Sequence, residues 1–132
     1  MSAGDLIGVA LSAICILHCL AAPLALAVFP FIGLLVLDGD AEVHRAVACA
    51  VAVPVLLSIV PGYLVHRRLR IAGTAAVGVS MVCFAAFVPL HGTAAGDETV
   101  LTIGGGALLV SAHLNNWRAV VASRAQGLFP NF

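Results

Sequence analysis

Apolar residues run through this chain in four long stretches, separated by short clusters of charge. Residues 6–37, 46–66, 71–96 and 99–117 contain no Asp, Glu, Lys or Arg. A helix that crosses a bilayer needs about 20 apolar residues, within a range of about 17–25. Each stretch therefore predicts one span, at about 6–30, 46–66, 71–91 and 99–117. Backbone N–H and C=O groups in lipid must be paired within the protein, and a helix does this within each segment. The alternation of a transmembrane barrel strand is absent from the sequence. The expected fold is all-α: one domain over residues 1–132, a membrane bundle of four transmembrane helices.

The segments between the spans alternate in charge. Segment 38–45 holds Asp38, Asp40, Glu42 and Arg45, and segment 91–98 holds Asp97 and Glu98. Segment 67–70 holds Arg67, Arg68 and Arg70, and the C-terminal tail holds Arg118 and Arg124. Basic residues in short loops mark the cytoplasmic side. Both termini are then cytoplasmic, which agrees with an even number of spans. A bacterial-type inner membrane is the expected location and lipid an obligatory partner. Trp117 falls at the inner interface, where Trp is favoured. Gly73 and Gly78, with Gly104, Ala107 and Ser111, offer small surfaces for close helix packing.

Composition narrows the function. Hydrophobic residues make up 62% of the chain and charged residues 9%, against about 45–50% and about 25% in soluble proteins. There is no lysine and the formal net charge is zero, so no basic face for nucleic acid can form. The start, MSAGD, lacks the positive region of a signal peptide. No nucleophile elbow, Walker motif or HExxH is present, and an enzyme is not expected. The glycines at 104–106 precede an apolar run and have no P-loop lysine. Cys15, Cys19, Cys49 and Cys83 all fall inside predicted spans, which points to reduced thiols rather than a disulfide framework.

The stretch ICILHCLAAP, residues 14–23, holds the most specific chemistry. From a start at Leu6, Cys15 lies roughly 14 Å and Cys19 roughly 20 Å into the span, either side of the middle of hydrocarbon about 30 Å thick. Residues four apart share a helix face, so the two thiols point the same way, with His18 beside them. Thiolates select soft metals, and two sulfurs suffice for a two-coordinate ion such as Hg(II). Pro23 has no N–H, which frees the carbonyl of Cys19 and predicts a helix break of the kind that forms transporter sites. For each cysteine alone, the bland alternative is a small buried hydrophobe.

Other residues lie at useful depths. From Ile71, Met81 is roughly 15 Å and Cys83 roughly 18 Å deep, so Cys83 matches the level of Cys15 and Cys19 as a third metal ligand, while Met81 suits core packing. In SAHLNNW, His113, Asn115 and Asn116 lie about one turn from the inner interface. They serve either as bonds between helices or as an exit path, with His113 and Asn116 as its candidate residues. His44 and His91 join Asp38, Asp40, Glu42, Asp97 and Glu98 as a candidate acidic outer vestibule, the alternative being solvated loops. His66 adjoins Arg67 and reads as interfacial. A haem would need His18 and His113 to face each other.

The runs SAICILHCLAAPLALAVFP and LTIGGGALLVSAHLNNWR resemble the MerC mercury-resistance family, and the resemblance extends over nearly the whole chain. It implies a four-span inner-membrane protein with cytoplasmic termini, in which Cys15 and Cys19 match the thiol pair associated with Hg(II) transport. Mercury-operon members carry a further cysteine pair towards the C-terminus; here no cysteine follows Cys83. The expectation is a transporter that moves Hg(II) or a similar soft ion inward, with no permanent cofactor. Zinc is the alternative cargo, with His18 and Cys83 completing its site. A metal-sensing, redox-sensing or structural membrane subunit is the alternative of another class. Four short helices also leave room for a homo-oligomer.

Overall fold

The computed structural model describes residues 2–28, 42, 45, 46, 48–88 and 97–126. These form four helices: α1, Ala3–Val28; α2, Ala48–His66; α3, Leu69–Phe87; and α4, Asp97–Ala125. The protein is thus an all-α bundle, and α1, α2 and α3 are each long and apolar enough to cross a membrane.

The helix ends follow from local chemistry. Ser2 precedes α1, and its Oγ accepts the Asp5 backbone N–H at 3.1 Å and donates to Asp5 Oδ2 at 2.6 Å. This reciprocal cap starts the helix three residues before the uncharged stretch begins. α2 carries Pro54, which has no N–H to give, and the next residues, Val55–Ile59, are wound as a π-helix. Ser58 Oγ donates to the Pro54 carbonyl at 2.7 Å, so that acceptor stays paired. α2 stops at Arg67, in the left-handed region at φ 54°, with its N–H on the Tyr63 carbonyl at 2.8 Å. That cap leaves a two-residue connection to α3. α3 ends at Val88, which is extended (φ −99°, ψ 116°), as the residue before a proline prefers. α4 runs on past Arg118, so the arginine there marks an exposed helix face and not a helix end.

α4 is the central element. It packs against α1, α2 and α3, whereas α1 and α3 do not touch among the described residues. It is also the helix that fails the apolar requirement for a span. The two facts have one cause: its polar groups are shielded by three neighbours, and those neighbours turn Leu17, Leu24, Leu56, Leu57, Val77 and Phe84 outward, as lipid contact requires. Matching contacts fix the directions. Residues 8 and 16 of α1 meet 113 and 106 of α4, and residues 78 and 82 of α3 meet 109 and 105, so both neighbours run antiparallel to α4.

Adjacent glycines serve two interfaces at once. A Cβ on Gly105 would lie 2.8 Å from the Gly78 carbonyl oxygen, and one on Gly106 would lie 2.9 Å from the Ile16 side chain. Successive helix positions point about 100° apart, so one glycine faces α3 and the next faces α1. Of the small residues expected at interfaces, Gly78 is buried, and Gly104 meets Met81. Gly73 faces open space, and Ala107 and Ser111 are exposed.

Replacing Gly105 with Leu should force α3 from α4 and cost about 1–3 kcal/mol. Gly73→Ala should be neutral or stabilising by up to about 1 kcal/mol. Thermal unfolding in mild detergent, followed by circular dichroism, separates the two; equal losses would contradict this packing.

Candidate functional site

The buried face of α1 is small and polar. Asp5, Gly8, Ser12, Cys15 and Cys19 are buried, at successive spacings of three and four that keep them in line along one side of the helix. This line faces α4. At its far end the Cys15 and Cys19 thiols lie side by side, with 6% and 4% of their surfaces exposed. Both are free thiols.

The other expected ligands are not buried with the pair. His18 is exposed, on the flank of α1. Cys83 is half-buried on α3, which α4 separates from α1. Among the described residues no three His, Cys, Asp or Glu side chains gather as a metal would need. Cys49 is exposed. The expected break at Pro23 does not occur, because α1 continues through it to Val28. Proline removes one hydrogen bond from the ladder, and the turns on either side hold the helix together. Of the outer vestibule, Asp38, Asp40, His44 and His91 lie outside the described residues. Glu42 pairs with Arg45 at 2.8 Å, and Asp97 and Glu98 occupy the exposed first turn of α4, where acidic side chains suit the helix dipole.

His113 and Asn116 meet in a buried polar cluster whose centre is Asp5. Asp5 is 2% exposed, His113 0% and Asn116 1%. Asp5 Oδ1 accepts from Asn116 Nδ2 at 3.0 Å and lies 3.2 Å from His113 Nδ1. Asn116 Nδ2 also donates to the Ser58 carbonyl at 3.2 Å. His66 reaches in from the end of α2, with Nε2 3.0 Å from Asn116 Oδ1. Its Nδ1 accepts the Arg68 backbone N–H at 3.0 Å, so Nε2 holds the proton and donates.

The same bookkeeping fixes His113. The Ser58 hydroxyl proton is committed to Pro54, so Ser58 Oγ, 3.1 Å from His113 Nδ1, is an acceptor there, as is Asp5. Nδ1 therefore carries hydrogen, and Nε2 is left as a buried nitrogen with no hydrogen-bond partner among the described residues. Ser12 Oγ is likewise buried without a partner among the described residues. Gly8 and Gly62 make room for the ring and the amide, since a Cβ on Gly8 would overlap the His113 imidazole and one on Gly62 the Asn116 side chain.

A cleft of about 270 Å³ opens onto this cluster from the end of the bundle where α1 begins. Ser2, Asp5, Ser58, Asn116, Trp117 and Arg124 are among its walls. The cluster, the cleft and the thiol pair are thus connected along one face of α1.

Asp5 is the residue that the charge pattern hid, because it looked like the boundary of the first apolar stretch. Two signals mark it: the cap pattern Ser-x-x-Asp at residues 2–5, and the spacing 5, 8, 12, 15, 19 of small and polar residues. Ser58 carried no signal, since its role depends on the π-helical turn.

The family model described as MerC mercury resistance protein matches residues 5–118. No curated protein and no solved structure matches the chain. The matched segment begins at Asp5 and includes the thiol pair, His66, His113 and Asn116.

Gly8→Ala should expel the His113 ring and cost about 1–3 kcal/mol. In a His113→Ala background the same change should cost markedly less, because the two residues share one space. Additive losses in detergent unfolding would show that the ring does not occupy the Gly8 notch.

Proposed function

The chain belongs to the MerC mercury-resistance family, and from that premise we propose that it carries Hg(II), or a similar soft metal ion, into the cytoplasm on the Cys15–Cys19 thiol pair. The observation that carries the reading is the pair itself: two thiols side by side, buried on the packed face of a helix long and apolar enough to cross a membrane. Two sulfurs on neighbouring turns suit a soft, two-coordinate ion. Metal bonding stabilises the thiolates, which burial in lipid alone would oppose.

In this reading α4 is the fourth span, both termini are cytoplasmic, and the membrane is a bacterial inner membrane. The arginine-bearing ends, Arg67, Arg68, Arg70 and Arg124, then share the cytoplasmic side with the cleft. An ion enters from the side of Glu42, Asp97 and Glu98 and exchanges onto the thiols. It leaves towards the cleft past His113 and Asn116. That last step requires α1 to part from α4 at Gly8, where the imidazole fills the notch. Cys83 lies on α3, which α4 separates from α1, so the two sulfurs are the ion's principal ligands.

Cells that express the protein should accumulate Hg(II) above an empty-vector control, and the Cys15→Ser/Cys19→Ser form, at matched membrane levels, should return uptake to the control. Zn(II) uptake should stay at control levels in both strains. Hg(II) uptake that is the same with and without the thiols would end the carrier reading.

A further inference from the structure

Two cavities follow each other along the seam between α3 and α4. The first, of about 510 Å³, lies where α3 begins, between Arg68, Arg70 and Thr74 and, on α4, Ala112 and Asn115. The second, of about 400 Å³, lies against Val77, Met81 and Phe84 of α3 and Leu101 of α4. Arg70, Thr74, Val77, Met81 and Phe84 are spaced by four, three, four and three residues, which keeps them on one flank of α3. Because α4 runs antiparallel, Asn115 falls beside the start of α3 and Leu101 beside its end. The two cavities thus share one flank of the seam, polar at the arginine end and apolar beyond it.

We propose that this groove holds one anionic phospholipid, its phosphate between Arg68, Arg70 and Asn115 and an acyl chain along Val77, Met81 and Phe84. The inference rests on α3 crossing the membrane and is independent of the ion that the thiols carry.

The donors at the polar end are uncommitted. The side chains of Arg68, Arg70 and Asn115 are exposed and make no hydrogen bond or ion pair among the described residues. Thr74 differs: its Oγ1 donates to the Arg70 carbonyl at 2.8 Å, which leaves the hydroxyl no proton to give. Asn115 is the informative one. It lies about one turn inside Arg118 on α4, where His113 and Asn116 are buried in the bundle, yet it is turned out to the cavity of the two arginines. An amide at that depth needs a partner that hydrocarbon does not supply. A phosphate supplies one, and the planar guanidinium groups suit the same oxygens. No acidic side chain lines either cavity, so the ammonium of an ethanolamine headgroup would find no carboxylate. The charge suits a headgroup with net negative charge, as in phosphatidylglycerol.

The apolar arm selects a lipid over a soluble anion. Val77 and Phe84 are exposed, and from Thr74 to Phe84 the helix rises about 15 Å. That is half of a hydrocarbon layer about 30 Å thick, the depth of one leaflet. A free phosphate would use the polar end alone and leave the rest of the groove unfilled.

The test uses purified full-length protein, stripped of lipid in a neutral detergent. Native mass spectrometry and thermal unfolding are followed as phosphatidylglycerol, phosphatidylethanolamine with the same acyl chains, or inorganic phosphate is added. The wild type should bind one phosphatidylglycerol at least about tenfold more tightly than phosphatidylethanolamine, and phosphate should leave the unfolding temperature unchanged. Arg68→Gln/Arg70→Gln should lose the preference, whereas Arg67→Gln/Arg118→Gln, with the same change in net charge, should keep it. Equal losses in the two double variants would reduce the effect to overall charge and overturn the groove. Phosphate that stabilises as well as the lipid would overturn the lipid as occupant, and a lipid-free dimer that takes up no phosphatidylglycerol would give the seam to a second copy. Protein released from membranes at alkaline pH without detergent would instead end the membrane reading on which the inference rests.

Discussion

A carboxylate closed off from water needs donors around it, and the donors Asp5 recruits hold the inner half of this bundle together. Ser2 supplies one from just ahead of α1, and Asn116 and His113 supply two from α4. Asn116 also ties to the Ser58 carbonyl and to His66, which commits both ends of the second half of α2. Removing any one partner leaves another group buried and unpaired, and such a loss costs more than the bond itself contributes. The arrangement fixes the relative rotation of α1, α2 and α4 in a way that apolar contacts between membrane helices do not.

That rotation decides where the thiols point. Cys15 and Cys19 follow Asp5, Gly8 and Ser12 along one line, so turning Asp5 towards α4 turns the thiols with it. The thiol pair is thereby placed in the protein interior and not against lipid. The same rotation carries His18 to the exposed flank and leaves Cys83 behind α4. Along the same face follow the Ser12 hydroxyl and, at Gly8, the His113 imidazole beside Asp5.

The central position of α4 has a matching logic. Its polar residues make it a poor lipid-facing helix, and its glycines let two other helices approach it closely. Gly105 and Gly106 divide between α3 and α1, and His113 and Asn116 then fall on the side that meets Asp5 and Ser58. Motion of α1 against α4 would open the route from the thiols to the cleft, with the Gly8–His113 contact as the point that has to yield.

The sequence by itself determined the helical class, the places of the apolar stretches, the reduced thiols and the shared face of Cys15 and Cys19, because hydrophobic length and helical period are local properties. The family followed from the same runs of residues. Local reasoning also placed His113 and Asn116 among the functional candidates, on depth alone. The tertiary structure decided which depth-matched residues meet. It set Cys83 behind α4 and His18 on an exposed flank, carried α1 through Pro23, and drew Asp5 from an apparent loop boundary into the interior. Those outcomes depend on how each helix is rotated about its axis. The partners that set the rotation lie 50 to 111 residues apart in the chain, beyond the reach of any spacing rule within one helix.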